Sequence, residues 1–567
     1  MNDIRRTILW VIFGFSIILL WDQWQIYNGK AATFFTTPPK AASATAAPSA
    51  PGASVAVPSA VPTASAAGTA QAKGAATLPS HTNAPAASKQ VVVVQTDVLK
   101  LSIDSEGASI ERAELLKHKE EGAGIKSPSK RNITVLDNSN ERVYLAQTGL
   151  IGAAAYPNHK TPMTWVAGPT ALKEGDKELV VRFQSAEVGG VQLVKTYTLR
   201  QGAYDILVQH EVRNVSAEPQ SPQLYLQLLR DGNKPAGESM FYSTFTGPAL
   251  YSAERKFEKV EFSDIEKGKA EHAKKAAEGY VAVVQHYFAS AWLLANPVPR
   301  EYFTRKVDTN LYAVGMIAQL GDIAPGQSKA QEARLYVGPQ EEKALEALYP
   351  GLELVKDYGW LTILAKPLYW LMDKLYGMLG NWGWAIVGLV VLLKAAFYWL
   401  NASAYRSMAK MKAVNPRVME LKERLKDKPQ EMQQAMMKLY RDEKVNPLGG
   451  CFPILIQIPV FIALYWVLLA TVEMRNAPWI GWITDLSSPD PYFILPLVMT
   501  GTTVLQTWLN PTPPDPVQAK LMWIMPLVFS VMFFFFPSGL VLYWLTNNVL
   551  SIAQQYFINK KLGVLGK

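Results

Sequence analysis

The sequence predicts a polytopic α-helical membrane protein that carries a large all-β sandwich on its outer side. Three observations predict it. Five apolar runs of span-like length lie between residues 383 and 558. An arginine-led apolar run, "MNDIRRTILWVIFGFSIILLWDQW", opens the chain. Between them, from Val91, the pattern is one of short, alternating, β-branched runs.

Bulk properties agree with a divided chain. Its 567 residues exceed one ordinary domain. A mean hydropathy of +0.03 averages a polar first two-thirds with an apolar last third. Cys451 is the single cysteine, which excludes an intramolecular disulfide, and six scattered histidines supply no metal-ligand cluster. The +9 charge gathers beside the apolar runs, which suits membrane topology better than DNA binding. No P-loop pattern and no nucleophile–base pair is evident, so neither a cofactor nor an enzymatic reaction is expected.

Residues 1–28 read as a transmembrane anchor, with Arg5 and Arg6 before the run and Trp10, Trp21 and Trp24 at its interfaces. The rival is a cleaved signal peptide, against which stands a bulky flank in place of Ala-x-Ala. Residues 29–89, rich in Ala, Pro, Ser and Thr, bury too little apolar surface to offset chain entropy and read as a disordered linker. Residues 90–345 hold runs such as "VQLVKTYTLR" and "YDILVQHEVRNV" with Gly, Pro and Asn/Asp between them. Many strands without intervening helices make a sandwich. The segment "EKVEFSDIEKGKAEHAKKAAEG" reads as a charged surface insertion. His210, His286 and Asp205 are taken as structural groups, lone histidines in strands being more often so.

Residues 355–379 place Lys366, Asp373 and Lys374 near one helical face with Trp, Leu and Tyr elsewhere, an interfacial amphipathic helix kinked by Pro367. Transmembrane helices follow at 383–403, 452–473, 491–509, 521–536 and 538–558. A single helix over 521–558 would run about 57 Å against a hydrocarbon core of about 30 Å, so "FPSGL" divides it. The 521–536 span, about 24 Å long, is short enough to thin the bilayer locally. With the anchor the count is six. The loop 404–450 holds eleven Lys/Arg against six Asp/Glu, the tail 559–567 is basic, and 474–490 has only Arg475. Both termini and the 404–450 loop therefore lie inside, and the sandwich outside.

With directions assigned, the polar residues of the spans can be placed by depth. Lys394 falls just past the middle of an inward-running span and Gln457 near the inner end of the next. Thr503, Gln506 and Asn510 form one stripe, and Tyr543, Asn547 and Gln554 another. Apart from Tyr543, these lie at mid-depth or in the inner half, which is too little for a through-pore. They suit a hydrated pocket, open to the cell interior, that receives Lys394. Glu473, the one acid in these spans, lies at an outer end, too far to pair with it. A plainer reading is that Lys394 snorkels to inner headgroups while the amides join helices. Two others are a secondary transporter or channel using Lys394 as a substrate or ion site, and an outer binding protein merely anchored by its spans.

The inside loop, "YRSMAKMKAVNPRVMELKERLKDKPQEMQQAMMKLYRDEKVNPLGG", reads as a helical hairpin turning at Asp427 to Pro429. Six methionines, among them Met408, Met411, Met432 and Met436, suit an adaptable apolar contact surface. The basic excess suits lipid headgroups or ribosomal RNA.

The segments "NWGWAIVGLVVLLKAAFYWL", "EKVNPLGGCFPILIQIPVF" and "FPSGLVLYW" resemble the YidC-type membrane protein insertases, over roughly residues 355–560. The anchor, linker and outer β-domain look like the Gram-negative form. The resemblance implies a five-helix insertase core with a cytoplasm-facing hydrophilic groove, and a periplasmic sandwich like sugar-mutarotase folds. It also implies insertion and chaperoning of nascent inner-membrane proteins, alone or with the Sec translocon (SecYEG and SecDF), and contact with the ribosome and the phospholipid bilayer. The groove cation of the family is typically an arginine. Lys394 stands at that position, keeping the charge but not the planar fork. An aromatic substrate-contact pair of the family maps onto Tyr543 and Trp544, where a second tyrosine is common.

Overall fold

Alternation along the strands builds the first of two units, which divide between Lys356 and Asp357. In Glu178–Ser185, Leu179, Val181 and Phe183 turn inward while Val180 and Arg182 face solvent. The computed structural model describes residues 90–120, 131–153, 155–235, 244–425, 428–443, 452–510 and 516–561. The expected anchor at 1–28, the linker at 29–89, Asp427 and the chain beyond Lys561 lie outside the described residues.

Eighteen strands among those residues make two nine-stranded sheets whose central ladders are antiparallel. At the centre of one, Gln223–Asp231 lies between Val143–Ile151 and Leu311–Gln319. At the centre of the other, Ser328–Pro339 lies between Phe288–Leu294 and Asp205–Asn214. The sheets face each other, because Trp292 Nε1 donates to the Gln227 carbonyl at 3.1 Å and the Tyr144 and Ser290 hydroxyls bond across the interior. This is the sandwich the alternating runs imply.

The segment read as a charged surface insertion proves instead to supply edge strands to both sheets. Lys256–Lys259 pairs with Gly247–Ser252, and Lys275–Ala276 pairs with Arg300–Asp308. Between them lies α1 (Phe262–Glu266), and buried Val260, Ile265 and Ala273 fasten the segment. Its charges hid these sparse apolar anchors. A second short helix, α2 (Glu342–Leu348), follows the last strand.

His210, His286 and Asp205 occupy separate places. Asp205 pairs with Arg200 at 2.7 Å, His286 stacks on Tyr287 at 3.8 Å, and His210 Nε2 meets Thr148 Oγ1 at 2.9 Å in the interior. Beside His210, Lys195 is wholly buried and donates to the carbonyls of Gly107 (2.6 Å) and Thr148 (2.9 Å). Burial lowers the Lys195 ammonium to about 7. Burial, reinforced by Lys195, lowers His210 to about 3, and burial with Lys160 does the same to His159. These groups join the two sheets.

The second unit is helical. It holds α3 (Thr362–Leu379), α4 (Trp382–Ala396), α5 (Tyr398–Arg424), α6 (Pro429–Asp442), α7 (Phe452–Ala470), α8 (Ile494–Leu509), α9 (Pro516–Met532) and α10 (Ser538–Lys561). In the expected interfacial segment the helix starts at Thr362, after a 3₁₀ turn at Gly359–Leu361. On α3, Ala365, Tyr369 and Met372 face inward, and Ile363, Trp370 and Met378 outward.

The expected 383–403 helix is divided. The backbone at Phe397 (φ −92°, ψ 12°) leaves helical geometry, and α4 and α5 meet at 68°. α5 then runs on as the first arm of the hairpin, with α6 as the second. "KAAFYWL" contains neither Gly nor Pro, so hydropathy continued through a break that the sequence does not mark. Among the described residues no single helix is both long and apolar enough to cross a membrane, while the α4–α5 pair together is.

The core of this unit joins Ala385, Ile386 and Leu389 of α4 to Leu464, Val467 and Leu468 of α7 and Leu540 to Tyr543 of α10. One close approach demands glycine: a Cβ on Gly383 would lie 2.1 Å from Trp479 Cδ1.

Candidate functional site

The bend at Phe397 determines where Lys394 can go. Lys394 lies in the last turn of α4, where unsatisfied carbonyls carry a partial negative charge that favours a cation. Its Nζ donates to Ser551 Oγ of α10 at 2.7 Å. The Ser551 hydroxyl donates in turn to the Asn547 carbonyl at 2.7 Å, which leaves its lone pairs to accept from the ammonium. Gln457 Nε2 of α7 donates to Asn547 Oδ1 at 3.2 Å, and Gln554 Nε2 to the Tyr398 carbonyl at 3.1 Å. Four helices are thereby joined around one point.

Of these groups Lys394, Gln457 and Asn547 border a recess, while Ser551 and the predicted Gln554 do not line it. Lys394, Asn401, Gln457, Tyr543 and Asn547 supply its polar lining, while Val390, Leu393, Phe397, Leu400 and Val460 supply an apolar one. The mixture suits a chain segment that is part polar and part apolar. Lys394 reaches sideways to a hydroxyl of α10 rather than along its own helix. Glu473 bonds elsewhere, accepting from the Tyr369 hydroxyl at 2.7 Å.

The other polar stripe goes to a different place. Thr503 of α8 accepts from Asn548 Nδ2 at 3.0 Å, and Asn510 accepts from Gln555 Nε2 at 3.0 Å. Asn548 and Gln555 lie on α10 one residue after Asn547 and Gln554, hence on an adjoining face. Thr503 and Asn510 therefore form a helix–helix seam, and neither they nor Gln506 lines the recess. The expected single set of groove residues separates into two. Position along each helix was legible, but the rotation of α8 against α10 was not.

The aromatic pair also divides. Tyr543 lines the recess, whereas Trp544 packs edge-on to Phe461 (4.8 Å) and against Phe533 (5.0 Å). In the hairpin, Met411 and Met436 pack between the arms against Val414 and Val418, with Met408 and Met432 half-buried. The more exposed methionines are Met419 and Met437. Sequence reasoning missed Ser551, Asn401, Asn548 and Gln555. Ser551 stands four residues after Asn547 and eight after Tyr543, so the same helical count would have found it.

Residues 91–371 match the family described as "YidC periplasmic domain", and residues 374–564 match "60Kd inner membrane protein". A protein from Janthinobacterium sp. (strain Marseille), named membrane protein insertase YidC, is 54% identical over 99% of this chain and 100% of its own length. One of the same name from Bordetella petrii is 55% identical over 99% and 98%. A crystal structure described as an active YidC insertase with its first transmembrane domain resolved aligns at TM-score 0.38 and 18% identity, over 83% of this chain and 93% of that one. The class is therefore that of inner-membrane proteins with a periplasmic β domain. The chain belongs to the YidC family of membrane protein insertases.

Proposed function

We propose that this insertase works through the Lys394 recess, which receives the hydrophilic flank of an incoming segment from the cytoplasm while the apolar part passes along the helix exteriors into lipid. One observation carries the reading: a lysine fixed among amide, hydroxyl and apolar groups between α4, α5, α7 and α10, bonded to Ser551 rather than to a carboxylate. Such a site lowers the cost of bringing polar backbone and side chains into the bilayer, since it offers partners where lipid offers none. No covalent bond changes and no nucleotide is consumed.

The topology follows the same reading. The chain crosses the inner membrane six times with both termini in the cytoplasm, the α5–α6 hairpin inside and the β domain in the periplasm. Support comes from the basic excess of 404–450 and from exposed apolar side chains on the helices, such as Val391, Trp508, Val528 and Phe557. The hairpin, with Met419 and Met437 outward, meets the ribosome or the bilayer surface, and the Sec translocon shares some clients.

Site-specific photocrosslinking during translation of a small membrane protein tests the recess. Probes replacing Lys394, Tyr543 or Asn547 form adducts with the nascent segment, and a probe at Gln506, off the recess, forms few. Equal labelling at all four positions would remove the recess from the mechanism.

A further inference from the structure

The end of the helical unit at which α4 begins carries an unexplained feature. The segment "NAPWIGWIT", residues 476–484, lies within the connection from α7 to α8 and contains no charged residue, with Arg475 and Asp485 flanking it. It forms a tight turn: Trp479 N donates to the Ile483 carbonyl at 3.0 Å, Ile483 N donates to the Ile480 carbonyl at 3.2 Å, and Gly481 has φ +60°. At the tip, Ile480 is 53% exposed and Trp482 is 39% exposed. Their neighbour Ile483 is buried, so the turn presents two large apolar side chains outward on a held frame.

The frame is bound to three helix starts. Asn381, the N-cap of α4, donates to the carbonyls of Pro478 (3.0 Å) and Trp479 (3.2 Å). Trp479 also packs against Gly383 and lies edge-on to Trp384 at 5.7 Å. Ser538 N and Gly539 N, at the start of α10, donate to the carbonyls of Ser488 (2.8 Å) and Leu486 (2.9 Å). Asp490 is wholly buried, accepting from Trp482 Nε1 at 3.0 Å and from Leu495 N, in the first turn of α8, at 2.7 Å. The carboxylate thus satisfies the indole N–H and the start of α8 together, while part of the Trp482 ring stays exposed. Asp485 is occupied within the loop by Ser487 and Ser488.

Exposed apolar groups continue beyond the tip at the same end. Trp384 is exposed in the first turn of α4, and Met378 and Leu379 are exposed at the end of α3, which leads through Gly380 to Asn381. A rigid, uncharged tip carrying Ile and Trp is unfavourable in water and suited to the headgroup boundary, where an amphipathic ring gains on both sides. The level is also right. α4 and α10 both begin here, and exposed apolar side chains start within their first turns or just before them.

We propose that the Ile480–Gly481–Trp482 tip is a membrane-surface anchor, inserted into the outer-leaflet lipid interface, that sets the depth at which the recess sits. The inference rests on the reading of these helices as membrane-embedded. Through Asn381, Ser538 and Asp490, the depth of the tip is passed directly to α4, α10 and α8. Lys394 and Ser551 lie on the first two.

The test uses the full chain with Cys451→Ser, reconstituted in phosphatidylcholine/phosphatidylglycerol vesicles. An environment-sensitive fluorophore is attached through Ile480→Cys, or in a second protein through Val528→Cys on the outer face of α9. The expected result is loss of emission at 480 to a nitroxide lipid labelled near the headgroup, more than to one labelled near the chain end, with protection from aqueous iodide. The 528 label should be quenched by the deep nitroxide. Iodide quenching at 480 without nitroxide quenching would place the tip in water and overturn the proposal. Protection from both quenchers would mean a protein cover, such as the β domain or a second copy, and would overturn it equally. If the 528 label also ignores nitroxide lipids, the embedded reading of the helices fails with it. If 528 is quenched and 480 is not, only the anchor fails.

Discussion

Lys394 Nζ donates to Ser551 Oγ across 2.7 Å, and that bond joins the last turn of α4 to the middle of α10. The contact explains how a lysine is kept in an apolar run. The helix ends beneath it, a hydroxyl stands opposite, and a recess lies beside it.

Removing the hydroxyl should free the ammonium without removing the charge. A bond of this kind contributes on the order of 1 kcal/mol, so Ser551→Ala should raise the rate at which Lys394 is acylated by an amine reagent by roughly three- to tenfold. Peptide-resolved mass spectrometry of the reconstituted protein reads the rate. An unchanged rate would show that Ser551 does not hold the lysine. Ser551→Thr, which keeps the hydroxyl, should restore protection.

Gln457 and Asn547 make the amide bridge from α7 to α10. A double-mutant cycle with Gln457→Leu and Asn547→Leu should give a coupling of about 0.6 kcal/mol and no more than about 1.7, the range found for bonds between membrane helices. Unfolding in mixed micelles measures it. Zero coupling would remove the bridge as a tie between the helices.

The buried bases of the sandwich set its response to pH. His159 and His210 fall from an ordinary value of 6.5 to about 3 in the folded chain. Between those values the unfolded chain binds protons that the folded chain does not, so stability should fall as pH drops from about 6.5 towards 3, by up to ~2.7 kcal/mol per pH unit if both act. Lys195, lowered from 10.5 to about 7, adds the same sign higher up: stability should rise from pH 7 towards 10.5. Hydrogen exchange of Val191–Arg200 and Asp205–Asn214 in the full chain reads both slopes. His210→Gln should make the acid slope shallower, and an unaltered slope would count against this assignment.

Gly383 leaves space for Trp479 and nothing more. Gly383→Ala should destabilise the helical unit by about 1–3 kcal/mol, the usual cost of overpacking, and Trp479→Ala should relieve most of that loss. Thermal unfolding of the two single variants and the pair checks it. A fully additive result would mean that the two positions do not meet.

Several parts of this protein could be read directly from residue order. Alternation in runs such as "VQLVKTYTLR" identified a two-sheet sandwich, because a strand side chain has only two faces to choose between. Hydropathy located the apolar helices, and "FPSGL" marked the break before α10, because proline and glycine interrupt a helix for local reasons. The position of Lys394, Gln457 and Asn547 along their helices was likewise legible.

The sequence by itself determined which helices carry polar groups and roughly how far along, since rise per residue is a local property. The tertiary structure alone decided which of those groups meet. The turn of α10 places Asn547 on the recess, Ser551 against Lys394, and Asn548 and Gln555 on the α8 seam. The bend at Phe397, unmarked by Gly or Pro, ends α4 just past Lys394. Rotation about a helix axis and bends of this kind are settled by packing among distant side chains, as between Gly383 and Trp479, and one-dimensional patterns carry no term for that.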